Sequence, residues 1–352
     1  MRYMIYADPH WSVYSSILRS RGNKYSTRLE NLIQTIQWVE DTAINQSCDY
    51  IICLGDFFDK SELNAEEISA LQEIKWTDIQ QLFIAGNHEM GRSNLEFTSS
   101  HLFNLCPHCE LVNEPQRIID NNTRLVLLPY VLERDRKPLN EYLQEVDTVS
   151  TMYNKTIVLS HNDIKDMQMG QWKSTEGFTI DEITNNCNLF INGHLHNAME
   201  VTPNIINLGN ITGQNFSENA IIYPHQVMIL DTDAGCFDFM CNPYALNFYK
   251  LDFSSMSMTD IEVYFEKNPL KTNSVVSLKV DSDCINDVKN YLSRHPNVIE
   301  SKVIVNFNPE VEYTKETKDL SIDHIDRFKE YIKAEVGTSD KILEELDRIT
   351  GN

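Results

Sequence analysis

Five short segments decide how this chain reads: Asp8-Pro9-His10, Gly55-Asp56-Phe57-Phe58-Asp59, Gly86-Asn87-His88-Glu89, Ser160-His161 and Gly193-His194-Leu195-His196. Each follows an apolar run, namely Tyr3 to Ala7, Tyr50 to Leu54, Leu82 to Ala85, Ile157 to Leu159 and Leu189 to Ile191. Short apolar runs that end at polar ligands are the pattern of buried parallel strands with a site at their carboxyl ends. Carboxylate, carboxamide and imidazole groups without thiolate make a mixed nitrogen and oxygen donor set. That set suits manganese, iron or zinc better than calcium. The chemistry it implies is hydrolysis of a phosphate ester assisted by two metal ions. The glycines are expected to let the backbone turn sharply, so that the next side chain points into the site.

Outward from these segments the pattern is α/β. Leu29, Leu32, Ile33, Ile36, Val39 and Ala43 follow the helical period across Thr27 to Ala43, between two strands, which predicts a βαβ unit. A second helix is expected over Asn64 to Ile74. Strands at Arg117 to Ile119 and Arg124 to Leu128, joined by Asp120-Asn121-Asn122, read as a hairpin. From Ile205 the chain is strand-rich, through Gln226 to Leu230 and Phe237 to Met240. Two halves that each carry ligands suggest two sheets face to face with helices outside. Ser254 to Thr259 reads as a polar linker. Beyond it, strand Val275 to Val280, helix Cys284 to Leu292 and strand Lys302 to Phe307 form a compact βαβ module. Glu310 to Lys318 reads as a charged linker. Two helices follow, marked by Ile322, Ile325, Phe328 and Ile332 and then by Ile342, Leu343, Leu346 and Ile349. The expected division is therefore 1–250, 251–309 and 310–352.

The 352 residues exceed one typical core, and 41% apolar content is ordinary for a globular protein. No stretch approaches the roughly 20 apolar residues of a membrane span, and no signal peptide is evident, so a soluble cytoplasmic protein is expected. The eight cysteines lack a disulfide framework. Cys106-Pro107-His108-Cys109 lacks a well-spaced second pair for zinc and reads as two ordinary thiols. A net charge of −22 is unfavourable for a polyanionic substrate. Yet no acidic side chain lies between Asp8 and Glu30, where Arg19, Arg21, Lys24 and Arg28 occur. Beside the first ligands, these four are the candidate phosphate contacts.

The order DxH, GDxxD, GNH[DE], H, GHxH resembles the calcineurin-like metallophosphoesterase superfamily, and within it the SbcD-type nuclease subunit, bacterial and phage counterpart of the eukaryotic Mre nuclease. Arg28-Leu29-Glu30, Leu128-Pro129-Tyr130, Leu208-Gly209-Asn210 and Phe216-Ser217-Glu218 are similar to further elements of that subfamily. The resemblance implies a four-layer α/β/β/α sandwich, a small α+β capping domain and C-terminal helices that dock on the coiled coil of an SbcC-type, SMC-like ATPase. It implies two divalent metals, manganese foremost. Asp8, His10 and His196 would hold one, Asn87, His161 and His194 the other, and Asp56 would bridge them. His88 would be the general acid that protonates the leaving oxygen, oriented and kept protonated by Asp59. The residue-level alternative for Asp59 is a cap on the following helix. The implied function is an exonuclease and endonuclease on DNA ends in recombination and repair, as a homodimer within a heterotetramer, in the host cytoplasm if phage-encoded. Glu89 stands where bacterial members usually have Asp, and Asn210 where Ser is common. Glu89 is familiar from protein phosphatases, but Lys60-Ser61 and Ala85 replace their arginine clamp. The alternative reading is a stand-alone phosphoesterase acting on nucleotides or phosphoproteins; a third is a non-catalytic scaffold, which would have no use for His88.

Overall fold

Alternate residues of the first strand face two different cores, and this alternation organises the whole molecule. In β1 (Arg2–Tyr6), Tyr3 and Ile5 enter one apolar cluster while Met4 and Tyr6 enter another. A strand buried on both faces must lie between two layers. The computed structural model describes residues 1–14, 24–147, 153–169 and 172–306. The chain divides into two compact units, Met1–Val305 and Asn306–Asn352, and the elements that follow belong to the first. The expected terminal linker and helix pair lie outside the described residues, as do Arg19 and Arg21.

After β1 come α1 (Thr27–Asn45), β2 (Tyr50–Cys53), α2 (Ala65–Leu71) and β3 (Gln80–Ile84). A short hairpin of β4 (Met90–Gly91) and β5 (Asn94–Thr98) leads to β6 (Cys109–Val112). β7 (Gln116–Asp120) and β8 (Thr123–Leu128) form the expected hairpin, with Asn121 in the left-handed region at φ 51°. Then follow α3 (Leu139–Glu145), β9 (Lys155–Ser160), the pair β10 (Gln168–Met169) and β11 (Trp172–Lys173), α4 (Ile180–Asn186) and β12 (Leu189–Asn192). β13 (Met199–Thr202), β14 (Ile205–Asn207), β15 (Gln226–Asp231) and β16 (Cys236–Cys241) complete the two large sheets.

The first sheet has the order β16-β15-β1-β2-β3-β6 and the second β13-β14-β12-β9-β8-β7. In each, four adjacent strands run parallel: β1, β2, β3, β6 in one and β14, β12, β9, β8 in the other. The sheets pack face to face over Ile5, Ile52, Ile84, Leu127, Leu159 and Ile191 among others. Helices α1 and α2 cover the outer face of the first sheet through Leu29, Leu32, Ile36 and Ala70. Helices α3 and α4 cover the second through Leu139, Leu143 and Ile183. The result is the expected four-layer α/β/β/α sandwich, with the parallel strands of both sheets ending on one rim.

Local sequence accounts for the helix boundaries. Ser26 caps α1 by accepting from the Leu29 N–H, and Asn64 with Glu67 forms a capping box on α2. Asp59 is therefore not the cap of α2. Beyond β16 lies a third, parallel sheet of β17 (Asn247–Asp252), β18 (Ser274–Val280) and β19 (Val298–Val305). Helices α5 (Met258–Lys267) and α6 (Ile285–Arg294) connect its strands. The linker expected over Ser254 to Thr259 is corrected here. Ser257 and Asp260 form a capping box that starts α5, and Ile261 and Phe265 bury its inner face. All eight cysteines are free thiols, Cys106 and Cys109 among them. No helix among the described residues is long and apolar enough to cross a membrane.

Candidate metal centre

The five ligand segments leave β1, β2, β3, β9 and β12 at their carboxyl ends and converge on the shared rim of the two sheets. Three backbone contacts knit these exits together. The Asp8 N–H donates to Gly55 O at 3.2 Å, His10 N–H to Asp56 O at 3.0 Å and Gly193 N–H to Ser160 O at 2.9 Å. Four ligand candidates have left-handed backbones: Asp8 at φ 51°, His10 at 49°, Asp56 at 47° and His194 at 70°. Non-glycine residues are seldom held there unless the surroundings enforce it, and such positions gather at functional sites.

The glycines act in two different ways. Gly55, at φ +102°, makes the sharp turn that the sequence predicts. Gly86 and Gly193 instead provide space. A Cβ on Gly86 would lie 2.1 Å from Asp56 Oδ1, and one on Gly193 would lie 2.7 Å from Leu54 O. Gly193 lets the rims of the two sheets approach, and Gly86 lets neighbouring loops of the first sheet close around Asp56.

Side chains gather in the expected groups. Asp8, His10 and His196 offer donor atoms within 4.8 Å of one another, as do Asp56, His161 and His194. Asn87 Oδ1 joins the second group, 3.2 Å from His161 Nε2 and 3.0 Å from His194 Nδ1. Asp56 lies between the groups, with Oδ2 3.1 Å from His161 Nε2 and 3.9 Å from His10 Nε2. Burial resists ionisation of Asp56, but His161 and His10 outweigh it and hold the carboxyl far below its usual range.

The donor set fits cations on two observations. Asp8 Oδ1 is buried with no hydrogen-bond partner. His10 Nδ1 lies 3.1 Å from Asp59 Oδ1, and His196 Nδ1 lies 3.0 Å from Glu218 Oε1. Ionised carboxylates only accept, so each Nδ1 must donate, and in the neutral imidazole that ligates a metal each Nε2 then keeps its lone pair. Those two Nε2 atoms face each other at 3.0 Å. Facing lone pairs at that distance call for a cation between them, and a carboxylate behind a ligating histidine is the usual support. His161 is held from behind by Leu54 O at 2.6 Å, and His194 Nε2 lies 3.4 Å from Asp163 Oδ1.

His88 stands beside the groups, its side chain exposed and its backbone N–H donating to Asp56 Oδ1 at 2.9 Å. Its Nδ1 lies 3.2 Å from Asp59 O and 3.6 Å from Asp59 Oδ1. The bond to Asp59 raises His88 to about 9 against the opposing effect of burial, with Asp56 adding to the rise. Asp59 thus contacts both His10 and His88, and these bonds overcome desolvation to hold its carboxyl well below the ordinary range. Glu89, fully buried, accepts from Phe58 N–H and Gly86 N–H, both at 3.0 Å, fastening two ligand loops together. Burial, with Asp56 nearby, pushes Glu89 up to about 7.

Of the basic segment, Lys24 and Arg28 lie among the described residues. Arg28 is fully buried, donating to Pro9 O at 2.7 Å and Gly213 O at 2.8 Å. It clamps two loops and cannot reach a substrate phosphate. Lys24 pairs with Glu73 on the surface. The Arg28 contact is therefore corrected. Two functional carboxylates escaped the sequence reading. Asp163, two residues beyond His161, could have been suspected from its spacing. Glu218 was seen only as part of a resemblance, because nothing local pairs it with His196.

Residues 1–198 match the family described as calcineurin-like phosphoesterase. Among solved structures the chain is similar to TT1561 of Thermus thermophilus, at 9% identity and a TM-score of 0.39, covering 68% of this chain and 98% of that one. It is also similar to a dimetal phosphatase from Danio rerio (11% identity, TM-score 0.38, 68% and 98% covered). A metallophosphoesterase from Sphaerobacter thermophilus matches at 15% identity and a TM-score of 0.31, with 77% and 94% covered. No curated protein matches significantly. The family match spans more than half of the chain, which therefore belongs to the calcineurin-like phosphoesterases, enzymes of metal-dependent phosphoester hydrolysis.

Proposed function

We propose that this phosphoesterase is a manganese-dependent DNA phosphodiesterase, an exonuclease and endonuclease subunit of the SbcD type that works on DNA ends with an SMC-like ATPase. The observation that carries this reading is the third sheet, a βαβαβ module from Asn247 to Val305 added to a complete phosphoesterase sandwich. Hydrolysis of a small phosphoester has no need of it, whereas a polymeric substrate needs surface beside the metal centre.

Two divalent cations would supply Lewis acidity and an activated water at the rim. The protein's own residues supply the rest. Asp8, His10 and His196 on one side and Asn87, His161 and His194 on the other would hold the ions, with Asp56 shared. His88 holds a proton opposite Asp59 and is placed to deliver it to the leaving oxygen. A general acid of this kind contributes about 10²–10⁴-fold. Asp59 positions His88 and, through the same carboxylate, fixes the donor face of His10.

With Arg28 buried, a net charge of −22 leaves DNA affinity dependent on a partner's surface. The proposed partner contact is the terminal segment 310–352. The same charge favours a second reading, a stand-alone enzyme for nucleotides or other small phosphoesters. Linear duplex DNA with Mn²⁺ tests the proposal. Cleavage that falls about 10²–10⁴-fold in His88→Ala, with metal content retained, supports it. Turnover of small phosphodiesters without DNA cleavage, with or without an ATPase, supports the second reading. Loss of ATPase capture on deleting residues 317–352 tests the partner contact, and unchanged capture overturns it.

A further inference from the structure

The loop Gly213–Ala220 touches the metal centre through Glu218, and its two ends are bonded to Leu246, the residue that leads into β17, and to the third sheet's module itself. Glu218 is 3% exposed, and its Oε1 accepts from His196 Nδ1 at 3.0 Å. Its Oε2 accepts from Gln214 N–H at 2.7 Å, so the carboxylate is locked within its own loop. At one end, Gly213 N–H donates to Leu246 O at 3.0 Å, and Leu246 N–H donates back to Thr212 Oγ1 at 2.9 Å. At the other, Ala220 N–H donates to Phe248 O at 3.0 Å, and Lys271 Nζ donates to Ala220 O at 2.7 Å. Between them Phe216 meets Phe248 edge-on, with ring centroids 5.2 Å apart. Phe248 lies on β17, the first strand of the module.

We propose that Glu218 is the positioning residue for His196, and that its loop is a strut by which the Asn247–Val305 module sets the metal affinity of the Asp8–His10–His196 group. The reason is geometric. His196 presents Nε2 to a cation only while Nδ1 is held, and the loop of its holder is bonded at both ends to β17 and its flanking residues, with Arg28 on Gly213 O and Asn210 beside Glu218 as further supports. A displacement of β17 therefore reaches one half of the centre before the other, because His161 and His194 are held instead by Leu54 O and Asp163. This inference rests on the metal-ligand assignment made above.

The test is calorimetric titration of the full metal-free chain with Mn²⁺, together with the visible absorption of the Co²⁺-loaded protein. Glu218→Gln keeps the side chain's shape and removes its charge. It is expected to weaken one of two sites about 10–100-fold, leave the other unchanged, and alter the Co²⁺ spectrum. Lys271→Met touches no ligand and is expected to weaken the same site by about 3–10-fold. Folded Glu218→Gln protein with two wild-type affinities overturns the positioning role. Weakening in Glu218→Gln but not in Lys271→Met overturns the strut. If Glu218→Gln fails to fold, Lys271→Met alone decides. His196→Ala and Asp56→Asn serve as controls: retention of both sites in these variants overturns the ligand assignment, and their loss beside an unaffected Glu218→Gln overturns only this inference.

Discussion

Replacing Arg28 by methionine separates two roles that a cation beside a metal centre can have. Its guanidinium is fully buried, and burial pushes its pKa down to about 10 despite the favourable charge of Glu218. It donates to Pro9 O at 2.7 Å and Gly213 O at 2.8 Å, so it joins the Asp8–His10 loop to the strut that carries Glu218. In Arg28→Met both carbonyls lose a charged donor inside the protein, at about 1–3 kcal/mol each. Removing a buried charge restores part of that, because the desolvation penalty disappears with it. The net expected destabilisation is about 3 kcal/mol, equivalent to a fall in melting temperature of about 6 °C for a domain of this size. The assay is thermal unfolding of metal-free protein, paired with oligonucleotide binding across a salt series. A phosphate-contacting arginine would behave oppositely: stability within about 0.5 kcal/mol of wild type, and a salt slope reduced by about one. An Arg28→Met protein with unchanged melting temperature and weakened DNA binding refutes the clamp.

Other outcomes follow from single contacts. Gly55→Ala places a Cβ 2.3 Å from His161 Nδ1 at φ +102°, so loss of metal binding is expected; full metal stoichiometry would contradict this. Phe103→Ala removes a ring stacked 3.5 Å from Phe83 and is expected to cost about 3–5 kcal/mol in urea unfolding, with an effect under about 1 kcal/mol as the refuting result. Asn64→Ala breaks the capping box of α2 and should cost about 1 kcal/mol, without change in metal affinity. Burial holds the Glu40 carboxyl above its usual range against the hydrogen bonds from Thr77 and Gln81, so the folded state binds its proton more tightly than the unfolded chain. Glu40 therefore contributes stability at low pH that is lost as pH rises above the ordinary carboxylate range. Glu40→Gln should flatten that part of the pH–stability curve, and an unaltered slope would count against it.

Much of the sandwich is legible because its strands are buried on both faces and announce themselves as apolar runs. The same runs place the ligands, since a segment that follows a buried parallel strand can only emerge at the rim. Helix α1 is legible from its period, and its start from Ser26. The helix α5 is not, because Ser254 to Thr259 looks polar and its two buried residues, Ile261 and Phe265, lie beyond that stretch. The first strand of the module, β17, is likewise hidden. Its Lys250 and Asp252 are exposed, which breaks up the apolar run that marks the other strands.

The chain's own order of residues determined the donor set and the two-sheet architecture, because strand periodicity and ligand chemistry are local properties; the separation of His88 from the ligands came from the family resemblance. Tertiary structure alone decided what stands behind the ligands. Glu218 is 22 positions from His196 and Asp59 is 49 from His10, and no local pattern links such pairs. It also decided that Arg28 is a structural clamp and not a phosphate contact. A guanidinium is the same in sequence whether it faces water or two buried carbonyls; only the packing of α1 beneath the Asp8–His10 loop settles which.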